Sequence, residues 1–155
     1  MPGYELINQE EKKALNKIFD QGSIFFAHGF DKVRKKYHVR EFEKLSKIFF
    51  RAKYCLFVSS GTAAIKIGLK SLNVQPGDHV ITQSFNFIAT IEAILDVGAI
   101  PKIIGIDESL NMCPKELKKN ITKRTKVVIP VHMLGFAADL KKIKLECKKK
   151  KYFYS

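Results

Sequence analysis

Compact apolar runs recur along this chain, and each is separated from the next by a stretch with helical periodicity. Residues 54–58 (Tyr-Cys-Leu-Phe-Val) read as a buried strand. A helix over 62–72 follows, with Ile65, Leu69 and Leu72 facing inward. Residues 79–82, 102–106 and 126–131 read as further strands, with helices over 86–95 and 114–121 between them. Asp139 can cap a last helix whose inner face carries Leu140, Ile143 and Cys147. The apolar runs are continuous rather than alternating, which is the pattern of strands covered on both faces. Strand–helix alternation of this kind predicts an α/β fold, a mostly parallel sheet with flanking helices. Turn signals fall where that arrangement needs them, at Pro76-Gly77 and between Gly98 and Pro101, and Pro114 suits a first helical turn. Ahead of the alternating region, residues 10–19 carry Ala14, Leu15, Ile18 and Phe19 on one stripe, and residues 41–50 carry Phe42, Leu45 and Phe49. Both predict amphipathic helices, with an irregular stretch over 22–37 between them.

The chain has 155 residues, enough for one domain with a real core, and 46% of them are hydrophobic. The net charge of +13 raises the question of a nucleic-acid or anionic-membrane partner. The basic residues are spread along the chain and are mostly Lys, whereas base-edge and planar phosphate recognition favours Arg. Lysines on solvated helix faces explain the charge more simply, and neither a nucleic-acid nor a membrane partner is expected. Cys55, Cys113 and Cys147 are scattered, and His28, His38, His79 and His132 show no ligand spacing, so neither a metal site nor a disulfide framework is expected. The first residues lack the apolar core of a signal peptide, and no run of about 18 uncharged apolar residues occurs. The expectation is a soluble, cytoplasmic protein.

The chemistry centres on Val58-Ser59-Ser60-Gly61-Thr62-Ala63-Ala64, which follows the first predicted strand and opens a helix. Gly61 allows a sharp turn and close approach of a ligand to the backbone. The first helical N–H groups, those of Thr62 and Ala63, are expected to be unpaired and, with the helix dipole, to form an anion site. The Thr62 hydroxyl can add a donor. A Ser-Gly corner alone is weak evidence, because many strand–helix corners use these residues for geometry. Just past the second predicted strand lies Gln83-Ser84-Phe85-Asn86-Phe87-Ile88-Ala89-Thr90, at the end of a parallel sheet where ligands bind. An aromatic ring there can lie flat on a cofactor ring. Phe85 is read as core.

Residues 42–139 resemble the DegT/DnrJ/EryC1/StrS family of pyridoxal-phosphate-dependent sugar aminotransferases. The resemblance rests on Arg40-Glu41-Phe42-Glu43, Ser59-Ser60-Gly61-Thr62-Ala63-Ala64, Pro76-Gly77-Asp78-His79-Val80-Ile81-Thr82 and Phe85-Asn86-Phe87-Ile88-Ala89-Thr90. It continues through Gly98-Ala99-Ile100-Pro101, Ile121-Thr122-Lys123-Arg124-Thr125-Lys126 and Pro130-Val131-His132-Met133-Leu134-Gly135, with Ala138-Asp139 behind. Each stretch is ordinary alone; together, in the family's order and spacing, they are specific. Met1-Pro2-Gly3-Tyr4-Glu5-Leu6 and His28-Gly29-Phe30-Asp31 look like a subgroup that includes transaminases of 3-deoxy-octulosonate sugars. Asn86 departs from the family's common Thr, and Gly105 from its common Asp, although Asp107 matches.

The resemblance implies part of the large domain of a fold-type I aminotransferase. It implies pyridoxal 5′-phosphate as cofactor, with the phosphate held by Gly61, Thr62 and Ala63 and the pyridine ring stacked by Phe87. It implies a keto-sugar substrate, nucleotide-linked or of the octulosonate type, in surface polysaccharide biosynthesis, an amino donor such as glutamate, and a homodimer. The expected organisation is an N-terminal arm and helix over 1–40, a partial cofactor-binding domain over 41–150, and an unrelated tail over 151–155. The family's lysine and its carboxylate for the pyridine nitrogen match no residue here, so no catalytic residue is assigned and the chain is expected to be inactive alone. A frameshift or early stop near the lysine run 148–151 is one expectation. Low stability, from a first strand without ladder partners, is another. Two further readings stand beside this one: a phosphate- or pyridoxal-phosphate-binding module without catalysis, and a basic nucleic-acid binder.

Overall fold

The computed structural model describes residues 4–21, 29, 32 and 36–149, and it divides into two compact units that meet between Phe57 and Val58. The predicted tail over 151–155, and residues 1–3, 28, 30 and 31 of the subgroup signature, lie outside the described residues.

The first unit carries α1 (Gln9–Asp20) and α2 (His38–Phe49). Asn8 caps α1 reciprocally: its Oδ1 accepts from the Glu10 N–H at 2.8 Å, and the Glu11 carboxylate accepts from the Asn8 N–H at 2.7 Å. Those bonds satisfy donors that a helix start leaves unpaired, and the Asn8 N–H holds the Glu11 carboxyl below its ordinary range. The helical periodicity is therefore real. Along the stripes, Ala14 and Ile18 are half-buried, whereas Leu15, Phe19, Phe42, Leu45 and Phe49 are exposed.

The predicted buried strand over 54–58 is also absent. Tyr54 is 80% exposed, Leu56 and Phe57 are exposed, and no strand is assigned to the segment. A strand exists only where a neighbour completes its hydrogen bonds. Here the Phe57 N–H donates to the Glu43 side chain at 2.9 Å, and the Phe57 ring rests on Phe42 with centroids 4.5 Å apart. The expectation that this segment lacks ladder partners agrees with that arrangement; the expectation that it is buried does not.

The second unit is built as expected. Its elements are α3 (Gly61–Ser71), β1 (His79–Gln83), α4 (Ala89–Asp96), β2 (Ile100–Ile104), α5 (Pro114–Asn120), β3 (Thr125–Ile129) and α6 (Leu140–Lys149). The three strands form a parallel sheet in the order β2-β1-β3. His79 pairs with Ile100 and Gln83 with Ile104 on one side, and Val80 pairs with Val127 and Thr82 with Ile129 on the other. β1 is central and alternates between two cores. Val80 joins Leu69, Val74, Ile94, Val97 and Ala99 beneath α3 and α4. Ile81 joins Met112, Leu117, Ile121 and Ile143 beneath α5 and α6. Both faces of the strand are thus covered, which is why its sequence reads as a continuous apolar run.

β2 begins two residues earlier than its apolar run suggests and ends at Ile104, because the Gly105 carbonyl accepts from Cys113 and Ile106 bridges to Met112. Pro101 fits this outer strand, where a missing N–H breaks nothing. Leu72, predicted to face inward, is exposed. Gly98 makes the turn into β2 at φ +78°, where a Cβ would lie 3.1 Å from Pro76. Asp139 caps α6 as expected: its Oδ1 accepts from the Lys142 N–H at 3.0 Å, and this bond holds its carboxyl below the usual range.

Candidate functional site at the carboxyl end of the sheet

α3 runs antiparallel to β1. The chain leaves α3 at Ser71 and enters β1 at His79, and the Gly77 N–H donates to Gly98 in the neighbouring turn that leads into β2. Those turns mark the amino end of the sheet. Eleven helical residues rise about 16 Å, close to the length of a five-residue strand. The amino terminus of α3 therefore stands level with the carboxyl end of β1, on the side where open parallel sheets bind ligands.

Ser60 is the N-cap of α3, in extended conformation, and its Oγ accepts from the Ala63 N–H at 3.1 Å. This corrects one expectation: the Ala63 amide is not free, because the capping serine takes it. The Gly61 and Thr62 amides have no protein acceptor among the described residues. Having accepted from Ala63, the Ser60 hydroxyl keeps its own proton to donate outward. The first turn of α3 holds no carboxylate, so nothing on the helix offsets the positive end of its dipole. Gly61 is exposed and a Cβ there would meet nothing within 4 Å. Its φ is not positive, so the predicted sharp turn does not require glycine, and open approach is what the position offers.

Phe87 lies in the turn between β1 and α4 and is 75% exposed, as a ring offered to a ligand would be. Phe85, read from sequence as core, is 39% exposed and belongs to the same surface. Between them, Asn86 is turned inward: its Nδ2 donates to the Gln83 carbonyl and to the Thr82 hydroxyl. Its Oδ1 is buried and has no donor. A buried acceptor without a partner is rare and costly, so this end of the sheet carries unmet groups of both kinds, two free amides and one orphaned carbonyl oxygen. The residues present therefore fit an anionic ligand with a flat polar ring.

Sequence reasoning assigned no role of their own to three further residues here. Gln83 and Asn111 are buried amides that tie the loops together. His132 accepts from the Ala138 N–H at Nδ1, 2.9 Å away, which places its proton on Nε2, on an exposed ring. Partners 22 to 48 positions away define Gln83 and Asn111, and no local pattern marks them. Among the described residues no group of acidic, histidine or cysteine side chains could hold a metal, and no helix is long and apolar enough to cross a membrane. A cavity of 310 Å³ in the first unit, lined by Glu10, Lys13, Lys17 and His38 among others, contains none of the predicted site residues.

A sheet of this order with an anion-receptive helix terminus and a presented ring defines a cofactor-binding α/β domain. The chain belongs to the DegT/DnrJ/EryC1/StrS aminotransferase family, whose model matches residues 7–153. It is 32% identical over 149 residues to the GDP-perosamine synthase of Vibrio cholerae, covering 95% of this chain and 38% of that protein. It is 36% identical over 136 residues to the spore coat polysaccharide biosynthesis protein SpsC of Bacillus subtilis, covering 87% and 33%. Among solved structures it superposes on NtdA of Bacillus subtilis with bound cofactor PMP at a TM-score of 0.80 and 31% identity, covering 94% of this chain and 32% of that one. The sugar aminotransferase Spr1654 of Streptococcus pneumoniae, a putative assignment, matches in its PLP form at a TM-score of 0.82 and 27% identity, covering 96% and 36%. The chain thus spans about a third of the length of the relatives it matches.

Proposed function

We propose that this chain supplies the cofactor-phosphate-binding part of a pyridoxal-phosphate-dependent aminotransferase that places an amino group on a keto-sugar for surface polysaccharide biosynthesis. The observation that carries the reading is the pair of free amides at Gly61 and Thr62, at a helix terminus without a carboxylate. These two N–H groups and the Ser60 and Thr62 hydroxyls hold the phosphate. Ala63 acts indirectly, by fixing the Ser60 side chain. Phe87 stacks on the pyridine ring, and the Asn86 Oδ1 accepts a hydrogen bond at its edge. When bound, the cofactor supplies an electron-withdrawing ring to the carbon that exchanges the amino group. The protein's part here is to bind, orient and exclude water. Lys66, four residues after Thr62, is paired with Asp96 at 2.7 Å and takes no part.

The activities for which relatives are named, such as a GDP-perosamine synthase and a UDP-2-acetamido-2-deoxy-3-oxo-D-glucuronate aminotransferase of Pseudomonas aeruginosa, support a nucleotide-linked keto-sugar over an octulosonate. Glutamate as amino donor and a homodimer as working unit complete the reading. Titration with pyridoxamine 5′-phosphate, which has no aldehyde to react with surface lysines, tests the binding. Saturable binding competed by inorganic phosphate is the expected result. No saturable binding, or retention on DNA that falls steeply with salt while pyridoxamine 5′-phosphate fails to bind, overturns it.

A further inference from the structure

Gln83 ends β1 with a side chain that is 0% exposed. Its Oε1 accepts from the N–H groups of Met112 at 3.1 Å and Val131 at 3.0 Å. Its Nε2 donates to the carbonyls of Phe85 at 2.9 Å and Leu110 at 3.3 Å. A primary amide has two donors and two acceptor positions, and here all are used. The partners come from separate segments: the turn between β1 and α4, the stretch after β2, and the segment after β3. Filling the same space with an apolar side chain would strand four backbone groups, so packing alone does not account for an amide at this position. The network extends through Asn111, whose Oδ1 accepts from the Met133 N–H at 3.0 Å and whose Nδ2 donates to the Phe136 carbonyl at 3.3 Å.

We propose that Gln83 is the positioning residue of the cofactor site: by clamping the Phe85 carbonyl to the loops that follow β2 and β3, it fixes the turn that presents the Phe87 ring. The assignment rests on the cofactor reading above. A second tie from the same strand end acts on the same turn, because Asn86 bonds to the Gln83 carbonyl and the Thr82 hydroxyl. The Thr82 hydroxyl itself donates to the Ile129 carbonyl at 3.1 Å, which anchors that tie to β3. Phe87 thus sits on a turn held by backbone and side chains of β1, and among the described residues only the Gln83 amide links that turn to both of the other loops.

The chain has no tryptophan, so Phe87→Trp supplies a single fluorescent reporter at the ring position. The test compares this reporter in the full chain with Gln83 intact, with Gln83→Met and with Gln83→Glu. In Gln83→Met, reporter anisotropy falls, the Met112 and Val131 amides exchange with solvent about tenfold faster, and pyridoxamine 5′-phosphate binds about tenfold more weakly, while β1–β2 ladder amides stay protected. In Gln83→Glu, a buried carboxylate still accepts from Met112 and Val131 but has nothing to donate to Phe85. Burial raises its pKa against the lowering effect of the Met112 and Val131 donors, and protonation restores one donor. Reporter order is therefore low at pH 8 and regained at pH 5, a step that the parent lacks. A reporter equally ordered in all three proteins at both pH values overturns the proposal, even if exchange at Met112 accelerates, since that would mark a purely structural amide. If Gln83→Met does not fold, the pH step in Gln83→Glu decides. If the Gln83-intact protein binds no pyridoxamine 5′-phosphate, the cofactor reading fails, and the reporter alone upholds or overturns the role of Gln83 in setting the turn.

Discussion

Gly61→Pro separates the anion-binding role of the α3 terminus from its structural role. Proline removes one backbone donor, and Gly61 is the place where that removal leaves the fold intact. The position is the first of the helix, which proline favours because the N–H there has no helical partner. The preceding Ser60 stands at φ −161°, ψ 163°, the extended conformation a residue before proline prefers. The added ring atoms start from open space, and the Ser60–Ala63 capping bond is untouched. Loss of glycine from the unfolded chain stabilises by roughly 0.4–1 kcal/mol, which raises the melting midpoint by up to a few degrees in a domain of this size. The ligand, by contrast, loses a hydrogen bond to a charged oxygen, worth roughly 1.5–3 kcal/mol, so affinity for pyridoxamine 5′-phosphate falls by about 10- to 150-fold. Isothermal titration and thermal melts on the same samples read both quantities. Gly61→Ala is the control: it keeps the N–H and adds only a Cβ in open space, so it should bind nearly as the parent does. Unchanged binding in Gly61→Pro would refute the assignment of the Gly61 amide. Equal losses in the Ala and Pro variants would refute the donor argument and point to steric closure of the cradle.

Two further outcomes follow from the same framework. Gly98→Ala meets both a φ of +78° and Pro76 at 3.1 Å, so it should cost about 1–3 kcal/mol and lower the melting midpoint without altering ligand stoichiometry; a midpoint equal to the parent's would contradict the strain. His79 is held below its ordinary pKa of 6.5 by burial and by the nearby Lys102 and Arg124 charges. The unfolded chain therefore takes up a proton near pH 6.5 that the folded chain resists, and stability contributed by neutral His79 is complete above that pH and declines below it. Melts from pH 7.5 to 5.5 should fall more steeply for the parent than for His79→Gln, and parallel curves would remove His79 as the cause.

The alternation of strand and helix, the covered faces of β1, the Asp139 cap and the Ser60-Gly61-Thr62 corner all lie in patterns spanning a few residues, and the chain alone determined them. Propensity, periodicity and capping act between near neighbours, so sequence exposes them directly. Tertiary structure decided what depends on distant partners. Residues 54–58 have strand composition but no neighbour to pair with, and Glu43 takes the Phe57 amide instead. The apolar stripes of α1 and α2 are periodic, yet Leu15, Phe19, Phe42, Leu45 and Phe49 are exposed, because periodicity fixes which residues share a face and not what covers it. Phe85 left the core for the same reason. Gln83 looks like any polar residue at a strand end, and its importance comes from amides 29 and 48 positions away. Only the parallel pairing of β1 with both neighbours brings those groups within hydrogen-bond reach.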